Sequence, residues 1–551
     1  MKKFKPESFI QIHYHDRPGG VNSVISQYAR AFDAMQAKFN CIICCCDKNN
    51  KTMPGFARLI DIPECNYRTF KNRNDFIKTS ELLASAIGNI IGNPDLPRPI
   101  CVIGHNLTLG KNCALSAAFS KCAEKSGFSD KEAIFISVVH DFAEEGRIEN
   151  LAQISFLEKK GLNIKEHLYP THENIRYISP NARNVAILKK AHLPAQLLLN
   201  PVTMAGAYHV KIKKMGDKNK YLSRLAEKDG TAWESDIPVL FYPCRCICRK
   251  NILEAILISG FVFRSNLLLG SPGTSAGDTL LFKKAVGLCK KHLLPVIFDC
   301  NRIFTKEHIN KNFSSNIYDM ADACITTSIA EGFGYALHDP WLLCKTVVGR
   351  KPMGFSSAVG MDFTGLYESL PVPASWVDVD VLREKYYAAI KKCIGSRQKE
   401  GILSNRRKFD STFVDYFVKD DTIDFGCLDI DSQLSIMEKL LESPDKTTEW
   451  NNTCGNKLIA VKKKINKSIY GNELLIQANK NCILEKMSLS AFSKNFFEIC
   501  RPVPFDSEAK SNSDEIMKLF RSFDYFRLLL APSLQRALDS ISKLKSAKIH
   551  I

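Results

Sequence analysis

Short segments that are apolar throughout alternate with helical periods, and this pattern limits the folds open to the chain more than any other feature. Before residue 205 these segments read SFIQIHY, CIICCC, PICVIGH, AIFISVVH, NIRYIS and AQLLLNPV. A strand without polar alternation is buried on both faces, which is typical of parallel sheets covered by helices on each side. The first part of the chain is therefore predicted to be a doubly wound α/β domain.

The same alternation begins again after a polar stretch that runs from Met204 to Asp236. Its apolar segments read IPVLFYP, NLLLGSPG, PVIFDC, ADACITTS and TVVGR, with helical periods in KNILEAILIS and over 278–292. Amphipathic segments such as IMKLFRSFDYFRLLL then predict helices towards the C terminus. We expect a Rossmann-like domain at 1–205, a linker at 206–236, a second Rossmann-like domain at 237–440 and a helical extension at 441–551. The predicted fold class is α/β, with the two doubly wound domains facing a cleft.

Twenty cysteines are spread along the chain and often fall inside apolar runs, as in CIICCC and CRCIC. We expect reduced, buried thiols and no disulfides, because the one C-x-x-C lacks a partner pair at zinc spacing. No window reaches the roughly 18 consecutive apolar residues of a membrane span, and no apolar segment follows the N-terminal lysines as in a signal peptide. These observations predict a cytoplasmic protein.

A formal net charge of +18 points to an anionic partner. Basic residues cluster in KIKKMGDKNK at 211–220 and in KKK at 462–464. The sequence lacks zinc-finger spacing, an arginine-rich arm and an RNA-binding sheet signature, so nucleic acid is not the expected partner. A phosphate-bearing ligand fits the charge, and loose contact with an anionic membrane is left open.

Two glycines, Gly19 and Gly20, stand between the first predicted strand and a helix. Glycines at this place let the backbone approach a ligand, and the helix N-terminus offers free amides to a phosphate. His140 follows a later strand, in VVHDF. A plain tight turn and a hydrogen-bonded structural histidine are the alternatives at these two places.

The second domain opens with FYPCRCICRKNILEAI, which places Arg245 and Lys250 five residues apart around a strand-to-helix turn, with Arg249 beside them. Cations at the carboxyl end of a strand suit a diphosphate, with arginine as a fork and lysine as a point charge. The alternative is a solvated basic turn.

A third segment, EGFGYALHD, delivers Glu331 to the end of a strand and continues into the turn Gly332–Phe333–Gly334. A helix is predicted to start near Tyr335, with Asp339 close to the same helix face. A carboxylate here can accept hydrogen bonds from sugar hydroxyls, while the exposed amides of the turn take oxygens or phosphate.

Taken together, these segments resemble the retaining glycosyltransferases of the GT-B fold, in particular the family-4 or group-1 enzymes. That family has a glutamate, seven residues and a second glutamate, commonly beginning EGFG. The resemblance also covers GGV near the start, VVHDF, LLLNPV and the Arg-Lys pair five apart. It extends over roughly residues 8 to 370.

The resemblance implies roles for the donor-side residues. Glu331 is expected to contact the hydroxyls of the donor sugar, and Asp339 to hold the ribose. Arg245 and Lys250 are expected to neutralise the diphosphate of a nucleotide diphosphate sugar. The donor-binding set also includes Gly19, Arg249 and the turn Gly332–Phe333–Gly334.

On the acceptor side, the resemblance implies that Gly20 lets its loop lie against the phosphates and that His140 touches the donor sugar. The expected reaction transfers the sugar to a hydroxyl acceptor with retention, without a metal or a resident cofactor. Three departures from the family pattern, Asp339, Cys244 and Asn251, leave its charges in place. The alternatives are a non-catalytic nucleotide-sugar-binding or scaffold protein, and a GT-B relative with epimerase or phosphorylase chemistry.

Overall fold

The computed structural model describes residues 5–17, 19–47, 55–125, 133–145, 147–203, 218–273, 275–300, 313–352, 355, 360–394, 406–470, 472–501 and 516. The chain divides into two compact units. Unit 1 contains the described residues up to Thr203 and those from Ile483 onward, and unit 2 contains the described residues between them.

Unit 1 is built on a parallel sheet of seven described strands in the order β3-β2-β1-β4-β5-β6-β7. The strands are β1 (Ser8–His15), β2 (Phe39–Cys45), β3 (Arg58–Asp61), β4 (Ile100–His105), β5 (Ala133–Val138), β6 (Ile175–Ser179) and β7 (Ala195–Leu197). The helices between them are α1 (Gly20–Ala34), α2 (Arg73–Ile91), α3 (Cys113–Lys125), α4 (Ile148–Glu158), α5 (Ile164–Leu168) and α6 (Ala182–Lys190). Every residue of β4, β5 and β6 is buried, as their uniformly apolar segments predict.

Unit 2 repeats the plan with a six-stranded parallel sheet in the order β10-β9-β8-β11-β12-β13 within the described chain. Its strands are β8 (Val239–Tyr242), β9 (Asn266–Leu269), β10 (Val296–Ile297), β11 (Ala323–Thr326), β12 (Val347–Arg350) and β13 (Leu366–Tyr367). A small antiparallel sheet joins β14 (Pro371–Pro373), β15 (Val418–Lys419) and β16 (Thr422–Asp424). The prediction of two parallel sheets is confirmed.

The helices of unit 2 cover these sheets. They are α7 (Lys218–Asp229), α8 (Ile252–Leu257), α9 (Ala276–Lys291), α10 (Phe313–Met320), α11 (Asp339–Leu342), α12 (Val379–Ile394), α13 (Arg406–Phe417), α14 (Ile430–Glu442) and α15 (Pro444–Ile469). A further helix, α16 (Glu473–Met487), begins in unit 2 and ends in unit 1. A π-helical turn, Ile258–Val262, continues α8. Trp450, Leu458 and Ile465 of α15 belong to the main core of the unit.

Two predicted segments differ from the structure in their organisation, and a third lies almost wholly outside the described residues. Residues 218–229 of the predicted linker form α7, which packs through Leu222 and Leu225 into the core of unit 2. The predicted C-terminal extension is divided, because α15 packs on unit 2 whereas α17 (Leu489–Ile499) packs on unit 1. The segment IMKLFRSFDYFRLLL lies outside the described residues except for its buried first residue, Ile516.

Both sheets reverse their strand order at one point, between β1 and β4 in unit 1 and between β8 and β11 in unit 2. In open parallel sheets, ligands bind beyond the carboxyl ends of the strands at such a reversal. The predicted site residues follow these strands: Gly19 and Gly20 come after β1, Lys250 after β8 and Glu331 after β11. The topology therefore places each group where a ligand site is expected in its own unit.

Candidate functional site

The loop after β8 is fixed by hydrogen bonds to its backbone. Tyr242, the last residue of β8, donates its hydroxyl to the Lys250 carbonyl at 2.7 Å, and the Thr327 hydroxyl reaches the same oxygen at 3.1 Å. The loop ends in a 3₁₀ turn, Cys248–Lys250. These contacts join the ends of the neighbouring strands β8 and β11 and leave Lys250 only 9% exposed.

Glu331 lies between two of the cations that the sequence singles out. One carboxylate oxygen forms an ion pair with Lys250 Nζ, and the other lies 3.2 Å from Arg249 Nη1. Arg249 also donates to the Ala330 carbonyl, and its own carbonyl accepts from the Ile329 amide at 3.0 Å. Burial alone would raise the pKa of Glu331, but Lys250 and Arg249 outweigh it and lower the pKa to about 2. The carboxylate is therefore ionised at neutral pH.

Arg245 does not join this group. Its side chain is exposed, and it forms no ion pair with any residue that the structure describes. The structure thus brings together Arg249, Lys250 and Glu331. The sequence instead predicts that Arg245 and Lys250 bind the diphosphate together.

The turn after Glu331 requires a glycine at Gly334. Gly334 has φ +76°, and an added Cβ would lie 3.0 Å from Leu337 Cδ1 and 3.3 Å from Glu331 Cβ. The predicted helix from Tyr335 is not continuous, since a 3₁₀ turn at Tyr335–Leu337 precedes the four-residue helix α11. Pro340 explains the break, because its nitrogen has no hydrogen to donate to the preceding turn.

His338 holds the turn together and was not singled out from the sequence. Its ring stacks on Phe333 at 4.3 Å with an interplanar angle of 6°, and its Nδ1 lies 2.9 Å from the Gly334 carbonyl. Burial lowers the pKa of His338 to about 4, so the ring is neutral at pH 7 and Nδ1 donates. The spacing of four residues between Gly334 and His338 was the sequence signal that could have predicted this contact.

Asp339 has surroundings opposite to those of Glu331. It forms no hydrogen bond or ion pair with the described residues, and burial raises its pKa to about 7. Its charge acts on Tyr318 in α10 and Cys324 in β11. The sequence predicts that Asp339 lies near the face of a helix that starts at Tyr335. The structure has no continuous helix there, because a 3₁₀ turn separates Tyr335 from the helix that begins at Asp339.

A buried polar network lies directly behind Lys250. Asn251, at φ +51°, donates to Glu254 at 2.7 Å and accepts from Gln433 at 3.0 Å. Arg350 bridges Glu254, at 2.8 Å, and Asp424, at 2.6 Å. Because its members are 74 and 96 residues apart in sequence, spacing could not have identified this network.

In unit 1, His140 lies at the end of β5 and is 6% exposed. Its ring is parallel to that of His105, with centroids 6.2 Å apart, and no described residue supplies a hydrogen-bond partner for its Nε2. Burial lowers the pKa of His140 to about 4, so the ring is neutral at pH 7. An added Cβ on Gly20 would meet nothing within 4 Å, so the surface over this residue is open.

Sequence reasoning missed His105, which Gln11 and Tyr28 surround. His105 Nε2 lies 2.9 Å from Gln11 Oε1, and the Tyr28 ring meets the His105 ring at 5.2 Å. The signal was the polar end of an otherwise apolar strand, PICVIGH.

Three general expectations concern metals, disulfides and membranes. Across the described part of the chain, no group of three or more His, Cys, Asp or Glu side chains is arranged to hold a metal ion. The 19 cysteines with described side chains are all free thiols. Over the same ranges, no helix combines the length and apolar character that crossing a membrane requires.

Comparison with known proteins gives one curated relative and several solved structures. No family model matches the chain. Mannosylglucosyl-3-phosphoglycerate synthase of Petrotoga mobilis is 26% identical over 553 residues, covering 94% of this chain and 98% of that protein. Sucrose-phosphate synthase from Thermosynechococcus elongatus has a TM-score of 0.49 and 13% identity, over 89% of this chain and 98% of that one. An α,α-trehalose-phosphate synthase (UDP-forming) from Burkholderia xenovorans has a TM-score of 0.47 and 9% identity, over 90% of this chain and 100% of that one.

The relationship predicted from the motifs agrees with the structure and with the curated relative. Each unit is a doubly wound parallel sheet, and Glu331 and Lys250 follow adjacent strands at the order reversal of the second. The relative matches nearly the full length of both chains. The chain is therefore similar, over nearly its whole length, to a sugar-transferring synthase, and its two parallel sheets are those that the motifs predict.

Proposed function

We propose that the chain transfers a sugar from a nucleotide diphosphate sugar to a hydroxyl acceptor with retention of anomeric configuration. The observation that carries this proposal is the contact of Glu331 with Lys250 and Arg249 at the ends of β8 and β11. One ionised carboxylate and two cations beside a glycine turn offer separate partners for sugar hydroxyls and for a diphosphate.

In this proposal Lys250 and Arg249 stabilise the charge of the departing diphosphate, and Arg245 adds a third cation from the same loop. Lys250 has three N–H donors, so it can keep Glu331 in place while it binds a phosphate oxygen. Glu331 accepts hydrogen bonds from the donor sugar and fixes the orientation of its anomeric carbon. Asp339 remains the candidate for the ribose, and no metal or resident cofactor takes part.

Retention follows if the acceptor attacks from the face that the diphosphate leaves. A diphosphate oxygen then takes the acceptor proton, and the protein contributes positioning and charge stabilisation. His140 and Gly20 of unit 1 remain ligand contacts predicted from the family resemblance. Product stereochemistry measured by proton NMR tests this proposal: an α-linked donor should give an α-linked product, and a β-linked product would overturn retention.

The name of the curated relative states the product of that protein, mannosylglucosyl-3-phosphoglycerate. We propose the same class of product for this chain, with a mannosyl donor and glucosyl-3-phosphoglycerate as acceptor. An acceptor series of glucose, 3-phosphoglycerate and glucosyl-3-phosphoglycerate should give turnover only with the last. Turnover that is equal with free glucose would contradict this assignment while leaving the transferase proposal intact.

Glu331→Gln tests the proposed role of the Glu331 carboxylate, which contacts Lys250 and Arg249. The amide keeps the shape but loses the charge that orients sugar hydroxyls, so we expect kcat to fall by about 10²-fold or more. Glu442→Gln is the matched control, because Glu442 pairs with Lys291 on the surface at 2.7 Å. Normal turnover by Glu331→Gln in a steady-state assay would refute the role of Glu331.

A further inference from the structure

A cavity of about 680 Å³ lies in unit 2, between the last turns of α15 and the segment before β13. Its charged lining consists of four lysines and two carboxylates: Lys351, Lys463, Lys464, Lys467, Asp362 and Glu368. Small-molecule sites in proteins generally have volumes of about 300–1,000 Å³, so the cavity is of the right size for a metabolite.

Two of the four lysines bind other groups of the protein, and the other two have no partner among the described residues. Lys351 pairs with Glu368 at 3.1 Å, and Lys464 donates to the Leu366 carbonyl at 3.1 Å. Lys463 and Lys467 are exposed, and their ammonium groups contact no partner among the described residues. They stand four positions apart on α15 and therefore share one helix face.

Hydrogen bonds to Asn479, a residue of α16 that is 1% exposed, hold the segment before β13. The Asp362 amide donates to Asn479 Oδ1 at 2.8 Å, and Asn479 Nδ2 donates to the Asp362 carbonyl at 2.7 Å. At Gly365 an added Cβ would lie 2.5 Å from Ser468 Oγ, so the segment before β13 packs closely against α15 at this point.

Aromatic rings connect the cavity to the turn after Glu331. Phe363 and Phe355, which line the cavity, have ring centroids 4.9 Å apart. Phe355 lies 6.3 Å from His338, and His338 stacks on Phe333. The cavity shares none of its lining residues with the group of Glu331, Lys250 and Arg249.

We infer that this cavity is a second anion site, separate from the donor site, that binds a small phosphate ester carrying free hydroxyls. Lys463 and Lys467 supply the charges for the phosphate. Asp362 and Glu368 accept hydrogen bonds from hydroxyls, and the Phe363 ring covers the carbon atoms of the ligand. The site also accounts for part of the KKK cluster at 462–464, which the transfer reaction does not use.

Calorimetric titration with glycerol 3-phosphate tests the inference, using the full chain and three single variants. Lys463→Glu and Lys467→Glu should each weaken binding at least tenfold. Lys462→Glu should stay within twofold of the parent, since Lys462 is exposed on the same helix but does not line the cavity. All three positions are exposed, so the variants are expected to fold, which circular dichroism checks.

The phosphate ester could be free or the headgroup of a lipid, and a second arm separates these sources. Vesicles of phosphatidylglycerol and of phosphatidylcholine are sedimented with the same variants. Loss of phosphatidylglycerol binding in Lys463→Glu and Lys467→Glu alone identifies a lipid as the source and supports the site. Equal losses in all three variants, or no binding of either probe by the parent, would overturn the inference.

Discussion

Arg245 and Lys250 follow the same strand but have different surroundings. Lys250 is buried against Glu331, whereas Arg245 is exposed and pairs with no described residue. Their side chains point differently because the torsions of the intervening loop, and not the five-residue spacing, decide direction. A role in ligand binding and a role in stability can therefore be separated at these two positions.

Substitution of each cation by methionine tests this difference. Both Lys250→Met and Arg245→Met should weaken binding of a nucleotide diphosphate tenfold or more in calorimetry, because each removes a positive charge from the proposed diphosphate site. Only Lys250→Met should also lower the free energy of unfolding, by about 3 kcal/mol, because it removes a partner from a buried carboxylate. Equal melting temperatures for the two variants would contradict the buried ion pair.

Asp339 predicts a pH dependence of stability. Its ordinary pKa of 3.8 applies to the unfolded chain, and burial raises the value in the folded state to about 7. As pH rises from about 4 to 7, the unfolded chain loses this proton first, so the contribution of Asp339 to folding becomes increasingly unfavourable. The free energy of unfolding of Asp339→Asn relative to the parent should therefore increase between pH 4.5 and pH 7.5.

Chemical unfolding at these two pH values measures the effect. Asp380→Asn serves as the control, because Asp380 is 79% exposed in its ion pair with Arg383. A difference between Asp339→Asn and the parent that does not change with pH would exclude burial as the source of the raised pKa.

At the scale of elements, the turn between β8 and α8 depends on one left-handed residue. Asn251 has a φ of +51°, a conformation that asparagine and glycine both adopt. Its side chain adds hydrogen bonds to Glu254 and Gln433 that glycine lacks. The Asn251 amide therefore connects the loop that carries Lys250 to the buried network around Arg350.

Two substitutions separate the backbone effect from the hydrogen bonds. Asn251→Gly should destabilise the protein by about 1–3 kcal/mol, because buried partners lose their hydrogen bonds. Asn251→Ala should lower the free energy of unfolding by about 1 kcal/mol more than Asn251→Gly, since the alanine Cβ is strained at positive φ. Denaturant unfolding measures both, and equal stability of Asn251→Gly and the parent would show that the amide contacts contribute nothing.

At the scale of the whole molecule, the chain returns to unit 1 after completing unit 2. Phe496 of α17 is fully buried, 5.3 Å from the Phe32 ring and 5.5 Å from Phe492. Phe492 in turn meets Tyr28 at 4.6 Å. Part of the core of unit 1 is therefore supplied by residues that lie almost three hundred positions beyond the end of its sheet.

Phe496→Ala should consequently destabilise unit 1, by about 3–5 kcal/mol, since it leaves a cavity among packed rings. Asn495→Ala, at an exposed neighbour on the same helix, should change stability by less than about 0.5 kcal/mol. Hydrogen exchange of the β1 and β4 amides can assign the loss to unit 1. Unchanged protection in Phe496→Ala would contradict the packing of α17 on this unit.

The parallel sheets could be predicted from sequence because burial on both faces leaves a local signature, a run of apolar residues without alternation. SFIQIHY and PICVIGH became β1 and β4, and ADACITTS delivered Glu331 to the end of β11. The site residues could be named because chain order alone places them after strands that end at the same edge of a sheet.

Only the tertiary structure decided which of these side chains meet. Arg249, and not Arg245, completed the pair around Glu331, and a 3₁₀ turn broke the predicted helix before Asp339. Arg350, read only as the end of an apolar strand, became the bridge between Glu254 and Asp424. Burial along a strand is a local property of the sequence, whereas side-chain direction in loops and ion pairs across elements depend on contacts between residues far apart in the chain.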